Sequence, residues 1–124
     1  MADARVPLAL YHVLDAIEDF RAIVGDATPD ELAVDREKRY AAERCVEIIS
    51  EASRRIPTEW KNEHSAIPWS KIAGIGNVIR HNYENVSPTI IVELRGTSLD
   101  ELERATLALL DKYDPEGRTF RKRP

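Results

Sequence analysis

The chain has 124 residues, 43% of them hydrophobic and 32% charged, enough for one domain with its own core. No apolar run approaches a bilayer span and no basic-then-apolar leader opens the sequence, so membrane insertion and export are not expected and the cytoplasm is the expected location. A formal net charge of −4 disfavours a surface that attracts nucleic acid everywhere, and an aromatic content of 6% disfavours a strand-rich fold.

Taken in order, Pro7 to Val24 reads as a first helix with the stripe Leu10, Val13, Leu14, Ile17 and Val24, and Gly25 as its stop. Thr28-Pro29-Asp30-Glu31 combines a capping hydroxyl, a proline for the first helical position and acids for the positive dipole end; it opens a short helix to about Val34. A second long helix is predicted from about Glu37 to Ile56. Ala41, Cys45, Ile48, Ile49 and Ala52 mark its buried face, Tyr40 and Val46 widen it, and Pro57 ends it. Arg44 and Glu47, three residues apart, read as a weak surface pair. Thr58 to Pro68 is a connector with one helical turn, and Trp60 and Trp69 are expected to close over the end of the bundle. A helix from about Trp69 to Asn82 follows, with Ser70 available as its cap.

Ser87 and Pro88 then start a helix to about Leu94, packed through Ile90, Ile91 and Leu94 and interrupted at Gly96. Ser98-Leu99-Asp100-Glu101 reads as a capping box for the last helix, which buries Leu102, Leu109, Leu110 and Tyr113. The sum is an all-α, up-and-down bundle of four to five helices over residues 1–117, followed by a basic tail over residues 118–124. For that tail a solubilising end is a simpler reading than an RNA clamp. Cys45, the single cysteine, excludes an internal disulfide and reads as a buried thiol. His12, His64 and His81 lack metal-ligand spacing, so neither a metal site nor a cofactor is expected.

Chemistry concentrates between Ile67 and Tyr83. Ile72, Ile75, Val78 and Ile79 give that helix an apolar face, and its end carries Asn77, Arg80, His81 and, just beyond, Tyr83. Two readings of this cluster stand side by side. Arg and His in a last turn complement the helix dipole and its unpaired carbonyls, so all four residues can be capping and packing groups. Alternatively, an imidazole, a guanidinium and a phenol at one helix end supply a proton-transfer group, a phosphate-binding fork and an orienting hydroxyl. Glu51, just past Ile48-Ile49, reads either as a polar partner that reaches across to Arg80 or His81 or as an ordinary surface glutamate.

The P-W-x-x-I-A-G lead-in at Pro68, the G-N-x-x-R-H-x-Y end at Gly76 to Tyr83, the V-x-P-x-I-I segment from Val86 and the upstream stretch Arg44 to Ser53 together resemble the HepT-like branch of the HEPN proteins. The resemblance covers most of the chain. It implies a small, usually dimeric helical bundle. It also implies a metal-independent ribonuclease acting on tRNA or mRNA, the toxin encoded beside an MNT-type nucleotidyltransferase antitoxin. The family signature is an Arg, four to six residues, then His-x-Tyr. His81 and Tyr83 match its second half; the usual Arg position, five before the His, is Gly76. Arg80, one turn past Gly76 and leaning back over it, is expected to supply the guanidinium instead. The resemblance makes Arg80, His81 and Tyr83 the catalytic set, with Asn77 and Glu51 in support and Tyr83 a target for AMP transfer from the antitoxin. The competing expectation is an inactive helical dimer that only binds a nucleotidyltransferase.

Overall fold

The computed structural model describes residues 5–81 and 86–117. The described residues form helices and no strand. In chain order these are α1 (Arg5–Val24), α2 (Pro29–Val34), α3 (Arg36–Ser53), α4 (Thr58–Asn62), α5 (Trp69–His81), α6 (Pro88–Leu94) and α7 (Thr97–Tyr113). The long helices α1, α3, α5 and α7 make the expected all-α bundle, and the three short ones fill its connections.

Local chemistry sets the helix ends. Gly25 stops α1 by turning into the left-handed region at φ 53°, with its N–H on the Arg21 carbonyl at 2.9 Å. At α2 the predicted capping box is complete: Thr28 Oγ1 accepts from the Glu31 N–H at 3.1 Å and Glu31 Oε1 accepts from the Thr28 N–H at 2.9 Å. Ser87 caps α6 by accepting from the Ile90 N–H at 3.2 Å, just ahead of Pro88.

Three boundaries differ from expectation. Ser70 is the second residue of α5 and not its cap, because the Pro68 carbonyl already accepts the first helical bond, from the Ile72 N–H at 3.1 Å. The box at Ser98 does not form: Gly96 is the cap of α7, its carbonyl taking the Asp100 N–H at 3.2 Å, so Ser98 lies inside the first turn. α3 ends at Ser53 and continues to Ile56 only through tighter i→i−3 bonds, since Pro57 bars Ile56 from the helical region.

α3 lies at the centre, packed on one side by α1 and on another by α5, while α1 also packs against α7. The main core joins Val13, Ile17 and Phe20 of α1 to Val46 and Ile49 of α3, with Ile79, Ile91 and Leu102 closing it. A second cluster unites Leu10 and Leu14 of α1 with Ile56, Leu109 and Leu110. Trp60 and Trp69 cover that second cluster as expected. Trp60 stacks on Tyr113 with ring centres 3.8 Å apart, and Trp69 Nε1 donates to the carbonyls of Lys61 at 3.1 Å and His64 at 3.0 Å. Tyr40 and Ile90, expected to be packed, are instead 47% and 45% exposed. Tyr40 turns outward under the Arg39 guanidinium, which sits 5.5 Å from its ring centre. Burial pushes the Cys45 thiol up to about 11, which agrees with a packing role.

The α3–α5 contact is unusually close at one point. Ser50 is buried and its Oγ donates to the Ala73 carbonyl at 2.8 Å while accepting the Gly76 N–H at 3.1 Å. A Cβ built on Gly76 would lie 2.6 Å from Ser50 Oγ and 2.9 Å from Ser50 Cβ, closer than real atoms approach. Gly76→Ala is therefore expected to cost about 1–3 kcal/mol through overpacking, read as a lower thermal midpoint. Ser50→Gly placed in the Gly76→Ala background recovers part of the loss, which a double-mutant cycle measures.

Glu43 is 6% exposed, and burial raises its carboxyl above the ordinary value, with Arg39 nearby opposing the rise. A group whose folded pKa lies above its unfolded one binds protons more tightly when folded, so its burial weakens the fold increasingly as pH rises. Denaturant titrations are therefore expected to show wild type losing stability relative to Glu43→Gln between about pH 4 and about pH 7.

Candidate functional site

The site is built on the last turn of α5 and the facing stripe of α3. Asn77, Arg80 and His81 are all exposed. Arg80 Nη2 donates to Asn77 Oδ1 at 2.7 Å, an i,i+3 bond that turns the guanidinium back along its own helix as the tilt of helical side chains dictates. Arg80 and Gly76 line one cleft of about 260 Å³ whose opposite wall is α3. The close Ser50–Gly76 contact forms part of that cleft, and Arg80 projects one turn beyond it.

On α3, residues 44, 47, 48 and 51 recur at helical spacing and line the same cleft, and Arg55, in the turn just past the helix, continues the row. Arg44 pairs with Glu47 at 3.6 Å, as the spacing predicted; the Arg44 side chain is 69% exposed, so water weakens the pair. Glu51 is exposed and shares the cleft with Arg80, but among the described residues no carboxylate comes within ion-pair distance of Arg80. Asn77, not Glu51, holds that guanidinium. Arg55 and His12, the latter from α1, complete the lining. Three guanidiniums thus meet two carboxylates and one imidazole, in a chain whose total charge is negative.

Of the residues singled out in the sequence, the fold brings Arg80 and Glu51 to one cleft and ties Asn77 to Arg80. His81 is exposed on the same last turn but does not line that cleft, because adjacent helical residues diverge by about 100°. Tyr83 and the basic tail over 118–124 lie outside the described residues. Sequence reasoning missed Ser50, Arg55 and His12. For Ser50 the available signal was a small polar residue in an apolar stripe, with a glycine-bearing helix to follow; for His12 and Arg55 no local pattern points inward. Among the described residues, no three His, Cys, Asp or Glu side chains converge as a metal-ligand set.

This arrangement can bind and polarise a phosphate. A guanidinium offers two parallel N–H donors to phosphate oxygens, and the imidazole of the adjacent residue can take or give a proton. Among the described residues no helix is long and apolar enough to cross a membrane.

Comparison with known proteins agrees with the residue pattern. "Putative RNase TTE0752" of Caldanaerobacter subterraneus subsp. tengcongensis is 32% identical over 103 residues, covering 83% of this chain and 92% of that protein. "Putative RNase MJ1380" of Methanocaldococcus jannaschii is 31% identical over 83 residues, 67% of this chain and 76% of that protein. "Probable ribonuclease HepT" of Thermococcus cleftensis is 29% identical over 82 residues, 66% of this chain and 74% of that protein. No solved structure matches the chain. The family described as ribonuclease HepT-like matches residues 13–109, from the middle of α1 to near the end of α7, and the chain belongs to that family.

Proposed function

We propose that the protein is a metal-independent endoribonuclease of the HEPN kind, acting on tRNA or mRNA as the toxin partner of an MNT-type nucleotidyltransferase. The observation that carries this reading is the cleft guanidinium of Arg80, held by Asn77 one residue before an exposed imidazole. His81 as base takes the proton of a ribose 2′-hydroxyl. The 2′-oxygen attacks the adjacent phosphorus, the bond from phosphorus to the 5′-oxygen breaks, and the 5′-oxygen takes a proton from a protonated imidazole. The products are a 2′,3′-cyclic phosphate and a 5′-hydroxyl. Arg80 neutralises the charge that builds on the phosphorane oxygens.

Two imidazoles are needed at once for this scheme, and a homodimer that apposes two copies of α5 supplies the second as the partner's His81. Val78, 48% exposed and one turn before His81, offers such a pairing an apolar contact. Tyr83 orients the phosphate or the imidazole. Transfer of AMP onto Tyr83 would set negative charge where the substrate phosphate sits, which gives the antitoxin a direct means of silencing.

A second reading has its own support. The Arg position of the family signature is Gly76, and Ser50 fills the space any side chain there would need. That favours an inactive helical dimer that binds the nucleotidyltransferase. Purified protein incubated with mixed tRNA and mRNA in EDTA separates the two. Cleavage by the wild type, reduced about 10²–10⁴-fold in both His81→Ala and Arg80→Ala, is the expected result. Absence of cleavage by the wild type, or full activity of Arg80→Ala, overturns the ribonuclease scheme as written. Gly76→Arg, which restores the family residue, is expected to lower the thermal midpoint without raising activity, because Ser50 blocks its Cβ.

A further inference from the structure

We infer that Arg44, Arg55 and His12 form, with Arg80, a seat for further backbone phosphates of single-stranded RNA, beside the phosphate that is cut. This rests on the ribonuclease reading and adds residues that the signature at the end of α5 does not contain. The fold ties up several of its arginines and leaves others available. Arg21 is held by Asp100 at 2.6 Å and Glu103 at 2.9 Å, Arg54 by the Ala73 carbonyl at 2.7 Å, and Arg95 by the Gly25 and Ala27 carbonyls at 3.0 and 2.7 Å. Each of these does structural work. Arg55 has no carboxylate within ion-pair distance among the described residues, and it is exposed at the cleft wall.

Arg44 on α3 and Arg55 in the tight turn that follows it stand eleven residues apart, about 16–18 Å along the axis at roughly 1.5 Å per helical residue and 2.0 Å in the tighter turn. One phosphate near Arg80 does not use both ends of a cleft that long, whereas a strand laid along it brings successive phosphates past them. Glu47 holds Arg44 by a weak exposed pair that a phosphate can displace. His12, half-buried on α1, adds a ring N–H from the third wall. Glu47 and Glu51 between the arginines keep the cleft from being a uniform anion trap, so binding depends on the spacing of phosphates along a strand. In a chain of net charge −4, this cleft is where the described arginines collect without being consumed by packing.

The test measures binding of a single-stranded 2′-O-methyl oligoribonucleotide, which cannot be cut, to the full chain as a function of salt. Arg55→Ala is expected to weaken binding about tenfold and to reduce the slope of log affinity against log salt by about 0.7, the value for one phosphate contact on a single strand. Arg44→Ala weakens it in the same direction, and Arg55→Lys recovers the salt slope more than the affinity, because the charge remains and the bidentate fork does not. Arg104→Ala, which removes an exposed arginine of α7 outside the cleft, stays within twofold and controls for bulk charge. Circular dichroism confirms that each exposed-residue variant is folded. Wild-type binding that Arg55→Ala and Arg44→Ala leave within twofold overturns the seat while the ribonuclease reading stands. A wild type that neither binds this oligonucleotide nor cleaves RNA overturns that reading, and the seat with it.

Discussion

The contact between Ser50 and Gly76 is the constraint on which the site depends. One hydroxyl both donates and accepts across the α3–α5 interface, so the buried group has a partner in each role. The backbone of α5 can approach that closely only because residue 76 has no side chain. From that seating the rest follows: Arg80, one turn further on, emerges into the cleft, and Arg54 reaches over to the same Ala73 carbonyl. The glycine that departs from the family signature is thus tied to helix packing, which is why the proposed scheme takes its guanidinium from Arg80.

Packing also decides what the charges of this chain are for. Arginines near turns and helix ends are engaged by carbonyls and carboxylates of other elements, as Arg95 is by the turn after α1. Arg44, paired only with Glu47 of its own helix, and Arg55, just past the end of α3, face α5 across a groove. The cleft holds three arginines against Glu47 and Glu51 although the total charge is negative, because the remaining acids lie elsewhere on the chain.

Much of the fold was legible in the residues because helix starts and stops are local events. Thr28 and Ser87 cap where their flanking prolines say they should, and Gly25 turns where a left-handed residue is required. The misread starts at Ser70 and Ser98 share a cause: a carbonyl just upstream already served as the first acceptor, which no spacing of side chains reveals. Tyr40 and Ile90 fit the apolar periodicity yet face outward, since periodicity gives a stripe and not its edges. In the site, Arg80 and Asn77 were visible as near neighbours on one helix. His12 and Arg55 were not, because only the packing of α1 on α3 brings them to the same wall.

The pairing of α1 with α7 bears on how the chain reaches this state. Tyr11 donates to Asp114 at 2.9 Å and Arg21 to Glu103 at 2.9 Å, contacts that span 103 and 82 residues. Leu10 and Leu14 find their apolar partners in Leu109 and Leu110. While the chain emerges from the ribosome, α1, α3 and α5 can already associate, but one face of α1 stays uncovered until α7 is made. His12 rides on that helix, so α7 adds support to the wall it contributes to the cleft, beyond the packing of α1 on α3. The far end of the sequence thus bears on the cleft without lining it.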